Sequence, residues 1–189
     1  MFEQWSVDSP MATTPGVCIL VSVILIAAAV IDGWKLKVPN WITFPMVFAG
    51  WAASAWLFGW SGLVASLIGT VVGLGLLLPL YAIGGMGAGD VKLLAGVGAW
   101  VWGWVTFYAF CFSAVIGGLI AVGMVIYSKK ILHHAGQFWA IVGEIMVIRD
   151  PGQLSTIAAE RKSSMMLLPY GIPIAIGTIA YFACIGLLL

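Results

Sequence analysis

Two aspartates at the ends of apolar stretches are the residues of this sequence best suited to chemistry. Asp32 closes one apolar run, and Asp90 follows the glycine-rich segment IGGMGAG at residues 83–89. Two neighbouring carboxylates that share one proton can hydrolyse a peptide bond without a metal ion, because one acts as general base on water and the other as general acid. We therefore take Asp32 and Asp90 as candidate catalytic residues, and we expect neither a metal site nor a cofactor.

The composition indicates that these carboxylates belong to a membrane protein. The 189 residues are 62% hydrophobic and 8% charged, with a mean hydropathy of +1.11. A bilayer core of about 30 Å needs about 20 apolar residues per helix. The sequence predicts an all-α membrane protein, a single domain over residues 1–189 that forms a bundle of about six transmembrane helices. The predicted helices cover residues 15–31, 41–58, 63–83, 91–101, 104–127 and 168–189, of which the fourth is too short to span alone.

The positive charges predict the orientation, since short cytoplasmic loops collect Lys and Arg. All eight fall in alternate connections between the predicted spans: Lys35, Lys37, Lys92, Lys129, Lys130, Arg149, Arg161 and Lys162. Six spans with both termini outside produce this distribution. The protein is therefore expected in the cytoplasmic (inner) membrane, with Asp32 and Asp90 toward the cytoplasm.

The predicted helix ends suggest a division of roles between the two aspartates. Asp90 begins a helix two residues before Lys92, and Asp32 ends one. Since a helix N-terminus favours a negative charge and a C-terminus disfavours it, we predict Asp90 as the base and Asp32 as the acid. Glycines before Asp90 allow a buried loop to pack closely.

The longest predicted loop, residues 129–167, contains an apolar segment that is too short for a seventh span. Apolar residues recur in it at helical spacing around Glu144, which favours a helix lying at the membrane interface. The residues at this spacing are Phe138, Ile141, Ile145 and Ile148.

The segments around both aspartates resemble the motifs of type IV prepilin peptidases. GMGAGDVKLL resembles the GxGD motif, with Gly87, Gly89 and Asp90 in the motif positions and Lys92 following. Asp32 is followed by VPN at residues 38–40, similar to the I-P-N signature of that family. LPYGIPIAIG, residues 168–177, resembles the short, peptidase-only TadV/CpaA branch that serves Flp-type and tight-adherence pili. The resemblance implies supporting roles for Pro39, Asn40, Pro169, Tyr170 and Gly171.

The resemblance implies an endopeptidase that removes the basic leader from prepilins and pseudopilins at the cytoplasmic face of the membrane. Larger members also methylate the new N-terminus and often carry paired C-x-x-C motifs. The three cysteines of this chain form no such pair, so we expect no N-methyltransferase activity. The expected partners are the substrates and the lipid bilayer, without nucleic acid, and the sequence leaves a homodimer open.

The sequence also contains features of other classes of membrane protein. The segment GWSG at residues 59–62 matches a rhomboid serine-protease motif, but Ser61 is predicted outside and the histidines inside. A small proton-coupled transporter component that uses Asp32 and Asp90 as a relay is the alternative function. Such groups usually lie near the bilayer midplane between repeated halves, whereas both aspartates are predicted near one surface. A purely structural membrane subunit is a third alternative.

Overall fold

The computed structural model describes residues 14–82, 86–127 and 169–186, which form four helices and no strand. Helix α1 is Pro15–Lys35, α2 is Asn40–Ala82, α3 is Ala88–Tyr127 and α4 is Gly171–Cys184. The predicted all-α class is therefore confirmed for the part of the chain that is described. The interfacial helix predicted within residues 129–167 lies outside it.

Three of the four helices are long and apolar enough to cross a membrane. These segments are Gly16–Lys35, Asn40–Ala82 and Ala88–Met124, and α4 is a shorter apolar helix. Helix α1 continues to Lys35 rather than ending at residue 31. The second and third predicted helices are joined into α2, and the fourth and fifth into α3. Over the described residues the structure thus establishes four helices with three candidate spans, and the six spans stay a prediction from the sequence.

Helix α2 reverses its direction at Gly59. The backbone of Gly59 is non-helical, with φ 63° and ψ −147°. Trp51 Nε1 donates a hydrogen bond to Thr70 Oγ1 at 2.9 Å. These residues would be about 28 Å apart along a straight helix, so the two halves of α2 must lie side by side. Glycine suits this turn because it adopts a positive φ without steric cost.

Helix α3 is interrupted in the same way at Trp102, where φ is 66° and ψ is −176°. Its two halves both reach Tyr170. A Cβ atom added to Gly117 would lie 3.5 Å from the Tyr170 hydroxyl, and the charge of Asp90 acts on the same tyrosine. In a straight helix Asp90 and Gly117 would be about 40 Å apart, so α3 also folds back on itself.

Small residues bring the backbones of α2 and α3 into direct contact. A Cβ atom on Gly69 would collide with the carbonyl of Gly98, and one on Gly73 would lie 2.5 Å from the carbonyl oxygen of Leu94. Such contacts are typical of helix pairs in membranes, where close approach of backbones replaces the hydrophobic driving force. Gly69 and Gly73 therefore allow the close packing of α2 on α3.

Helix α4 packs against both α1 and α3, whereas α1 makes only a few direct contacts with α3. The buried face of α1 repeats every three or four residues, as expected for one apolar side of a helix. It consists of Val17, Cys18, Val21, Ser22, Leu25, Ala28 and Asp32. Only Asp32 in this face is charged, and its position at the last turn of α1 puts it next to the start of α4.

We predict that Gly69→Ala destabilises the bundle by about 1–3 kcal/mol, because the added methyl group forces the α2 and α3 backbones apart. Gly75→Ala is the matched control in the same helix, since a Cβ atom there meets nothing within 4 Å. Thermal unfolding in detergent measures both. Equal unfolding temperatures for the two variants would contradict the close α2–α3 contact.

Candidate active site

Asp32 is a buried carboxylate held by the first residue of α4. Its side chain is 2% exposed, and its Oδ2 accepts a hydrogen bond of 2.8 Å from the backbone N–H of Gly171. The first N–H groups of a helix have no partner within the helix, so Asp32 satisfies one of them. A Cβ atom on Gly171 would lie 2.9 Å from Asp32 Oδ2. Glycine at this position therefore lets the carboxylate approach the backbone.

Asp90 lies buried in the first turn of α3 and binds the residue that precedes the helix. Gly87 N–H donates to Asp90 Oδ2 at 3.2 Å, and Asp90 N–H donates to the Gly87 carbonyl oxygen at 3.2 Å. A side chain at the third helical position that reaches back in this way is half of a capping box. Asp90 thus has a structural role at the helix start, and this bond also fixes the orientation of its carboxylate.

The glycine-rich motif and the VPN motif are in direct contact. A Cβ atom on Gly89 would lie 2.7 Å from the carbonyl oxygen of Val38, and Val38 is itself buried. Because that neighbour is backbone, it cannot rotate away. Gly89 is therefore needed for α3 to begin against the segment that links α1 to α2.

Lys92 binds Asn40 of the VPN motif. Its Nζ donates to Asn40 Oδ1 at 3.0 Å and lies 4.8 Å from the centre of the Phe44 ring, within the range of a cation–π interaction. The contacts shown for Lys92 thus connect the starts of α2 and α3. Pro39 supports the same start, because its carbonyl oxygen accepts from Ile42 N–H at 3.1 Å.

Tyr170, directly before Gly171, lies close enough to Asp90 to be affected by its charge. The Tyr170 side chain is half-buried, and the negative charge of Asp90 acts on its hydroxyl. Consecutive residues therefore meet the two aspartates: Gly171 bonds Asp32, and Tyr170 is near Asp90. Pro169 precedes them and accepts a 3.1 Å hydrogen bond from Ile172 N–H. The structure thus gathers the three sequence motifs at one site.

Comparison with known proteins agrees with this arrangement. The model of the type IV leader peptidase family matches residues 19–122, a range that contains both aspartates and the motifs beside them. The chain belongs to this family.

Similar proteins from several bacteria carry the name prepilin leader peptidase/N-methyltransferase. That of Aeromonas salmonicida strain A449 is 30% identical over 161 residues, covering 76% of this chain and 54% of the relative. That of Dichelobacter nodosus is 32% identical over 127 residues, 63% of this chain and 43% of the relative. That of Burkholderia pseudomallei strain K96243 is 35% identical over 108 residues, 53% of this chain and 34% of the relative. The chain spans about half the length of these relatives or less. No solved structure gives a significant match.

The structure weakens one argument for which aspartate is the base. The prediction of Asp90 as base relied on its helix N-terminus, on Lys92 two residues away, and on the position of Asp32 at a helix C-terminus. In the structure Asp32 ends α1 but also meets the N-terminus of α4 through Gly171. Each carboxylate accepts a backbone N–H bond, so the helix-end argument no longer separates them, and the assignment of Asp90 as base stays a prediction.

Two packing partners in the site were not singled out from the sequence. Gly117 makes room for the Tyr170 hydroxyl, with a Cβ position 3.5 Å away. Val38 supports Gly89, and its presence in the VPN motif was the available signal. Within residues 14–82, 86–127 and 169–186, no group of three or more His, Cys, Asp or Glu could hold a metal ion.

We predict that Lys92 and Asn40 are energetically coupled. In a double-mutant cycle on unfolding in detergent, Lys92→Ala and Asn40→Ala should show a coupling of about 0.5–1 kcal/mol, the range for a partly exposed charged hydrogen bond. A cycle without measurable coupling would contradict the hydrogen bond between these two side chains.

Proposed function

We propose that this protein is an aspartic endopeptidase of the membrane that removes the N-terminal leader from type IV prepilins and pseudopilins, with Asp32 and Asp90 as its catalytic pair. The observation that carries the proposal is that two buried carboxylates lie beside consecutive residues: Asp32 accepts a hydrogen bond from Gly171, and Asp90 lies near Tyr170. Membership of the type IV leader peptidase family supports the reaction class. The names of the relatives, prepilin leader peptidase/N-methyltransferase, support the substrate class.

In the proposed reaction one aspartate is ionised and the other protonated. The ionised carboxylate takes a proton from water as the water oxygen attacks the scissile carbonyl carbon, and the protonated carboxyl gives its proton to the carbonyl oxygen. When the tetrahedral intermediate collapses, the C–N bond breaks, the leaving amine takes a proton from the first aspartate, and the second aspartate regains its own. Protons balance over the cycle, and the pair is returned to its starting state.

The surroundings of the pair suit this chemistry. Both side chains are largely withdrawn from solvent, with 2% of Asp32 and 6% of Asp90 exposed, so interactions with a developing charge are weakly screened. Each carboxylate has one oxygen oriented by a backbone N–H group. Catalysis depends on such preorganised geometry, since the reacting groups must be held before the substrate arrives.

Six membrane crossings, with both termini outside, are part of the proposal. The reversals at Gly59 and Trp102 support them, because each divides a long helix into two antiparallel arms. From Asn40 to Gly59 an arm is about 28 Å long, close to the bilayer core. The exposed Trp56 and Trp60 flank the Gly59 turn, as expected for aromatic residues at a membrane interface.

This topology would put the catalytic pair at the cytoplasmic side of the inner membrane. Asp90 is about 18 Å along α3 from Trp102, shorter than a bilayer core of about 30 Å. With the Trp102 turn at the outer interface, the pair would lie below the cytoplasmic surface, where a membrane-embedded substrate could reach it. Preference for Flp-type prepilins and absence of methylation remain predictions from the sequence, and a homodimer remains open.

We predict opposite labelling of the two connections around the first arm of α2. In a background with the three native cysteines replaced by alanine, Ser61→Cys should react with a membrane-impermeant maleimide in intact cells. Lys37→Cys should react only after the inner membrane is permeabilised. Labelling of both positions from the same side would contradict the crossing between them.

We predict that Asp32→Asn and Asp90→Asn each lower cleavage of a Flp-type prepilin by about 10²–10⁴-fold, the usual contribution of a general acid or base. The amide keeps the shape of the side chain but cannot exchange the proton. Purified wild type and variants are compared by the size shift and the N-terminal sequence of the product.

Asp8→Asn is the matched control for these variants, because Asp8 is predicted on the opposite side of the membrane from the pair. It should cleave like wild type. Cleavage by either pair variant at the wild-type rate would exclude the dyad mechanism, and a wild type inactive on several prepilins would exclude the proposed reaction.

A further inference from the structure

The two aspartates belong to helices that scarcely touch each other. Asp32 is on α1 and Asp90 on α3, and these helices make only a few direct contacts, whereas α4 packs against both. The separation of two side chains depends on the packing of the helices that carry them. The distance between the carboxylates therefore depends on what holds α1 and α3 relative to each other. Beyond the end of α1 this is the contact of Val38 with Gly89, and along the helices themselves it is α4.

The contact between α4 and α1 is direct and includes Asp32, a candidate catalytic residue. Gly171 N–H donates to Asp32 Oδ2 at 2.8 Å, and a Cβ atom on Gly33 would lie 3.5 Å from Ile172 Cδ1. Asp32 is thus hydrogen-bonded to Gly171, the first residue of α4, and its neighbour Gly33 packs against Ile172, the second. A displacement of the start of α4 would be passed directly to the Asp32 carboxylate.

The connection from α4 to α3 is a contact between backbones. A Cβ atom on Gly177 would collide with the backbone of Ser113, and Ser113 Oγ lies 3.4 Å from the carbonyl oxygen of Ile174 on α4. Nearer the site, a Cβ atom on Gly117 would lie 3.4 Å from Pro173 Cβ. Neither contact involves an aspartate, and Gly177 is about 9 Å along α4 from Gly171.

We propose that α4 is the positioning element of the active site: its glycine contact with α3 at Gly177 and Ser113, together with the Gly171–Asp32 hydrogen bond, sets the separation of Asp32 and Asp90. Gly177 and Gly117 are then positioning residues that act on catalysis through Asp32. This inference rests on the proposed function, because it concerns the geometry of the same pair. It adds that residues for which no direct contact with either carboxylate is seen affect the rate of the chemical step.

Two neighbouring glycines of α3, together with Gly177 of α4, provide a series of variants to test it. Gly118→Ala is the control, since a Cβ atom there meets nothing within 4 Å. Gly117→Ala adds a methyl group against Pro173, and Gly177→Ala forces α4 away from the Ser113 backbone. Each purified variant is assayed on a Flp-type prepilin for kcat and KM, and its thermal unfolding in detergent shows whether it is folded at the assay temperature.

The expected result is a graded loss of kcat in folded protein. A misplacement of about 1 Å can cost about 100-fold in rate, so we expect Gly177→Ala to lower kcat by about 10- to 100-fold. Gly117→Ala should lower it by about threefold, and Gly118→Ala should match wild type. KM should stay within about twofold throughout. A purely structural defect would reduce the amount of folded enzyme, whereas the proposal predicts a lower kcat of the folded fraction.

The proposal is overturned if folded Gly117→Ala and Gly177→Ala both keep the wild-type kcat, or if their losses follow only the unfolded fraction. Should Gly177→Ala fail to fold, Gly117→Ala decides, since its nearest neighbour is 3.4 Å away and can yield slightly. Asp32→Asn and Asp90→Asn in the same assay separate the two ideas. If they are inactive while the glycine variants match wild type, the dyad stands and the positioning role of α4 fails.

Discussion

The hydrogen bond from Gly171 N–H to Asp32 is the interaction on which the rest of the site depends. A carboxylate withdrawn from water needs a polar partner, and here the partner is a backbone group of a helix start that is itself unsatisfied. This contact joins residues 139 positions apart in the sequence. It requires glycine at position 171, brings α4 to the end of α1, and leaves Tyr170 close to Asp90.

The family motifs pack against each other, in addition to carrying or flanking the candidate catalytic residues. Gly89 lies on the backbone of Val38, and Lys92 bonds Asn40, so the segment that carries Asp90 is held by the segment that follows Asp32. A motif residue without catalytic chemistry can thus be needed because only its size or hydrogen-bonding group fits the neighbouring motif. This explains why residue 89, directly before Asp90, is glycine and not another small residue.

A structural role and the proposed catalytic role coincide at Asp90. Its bond to Gly87 N–H is an ordinary helix-start interaction, and taken alone it would explain the residue without any reaction. The same bond restricts the rotation of the carboxylate, which is what a general acid or base requires. The arrangement around Tyr170 and Gly171, rather than the cap itself, connects Asp90 to Asp32.

The sequence by itself determined the features that depend on local composition. Apolar runs predicted an all-helical membrane protein, the turns near Gly59 and Trp102 were correctly located, and the two aspartates were identified with their flanking motifs. Helix boundaries were less accurate: α1 extends to Lys35, and the four middle helices became two helices that reverse. Hydropathy reports which residues avoid water, but it does not report where backbone hydrogen bonds continue through a turn.

Only the tertiary structure decided which residues meet. The sequence placed Lys92 near Asp90, whereas the structure bonds it to Asn40, and it placed Asp32 at a helix C-terminus without the α4 N-terminus that also faces it. The position of α4 between α1 and α3 could not be read from the sequence either. Helix formation follows from nearby residues, but contacts between helices depend on which small side chains allow backbones to approach, and that is settled only when all the helices pack together.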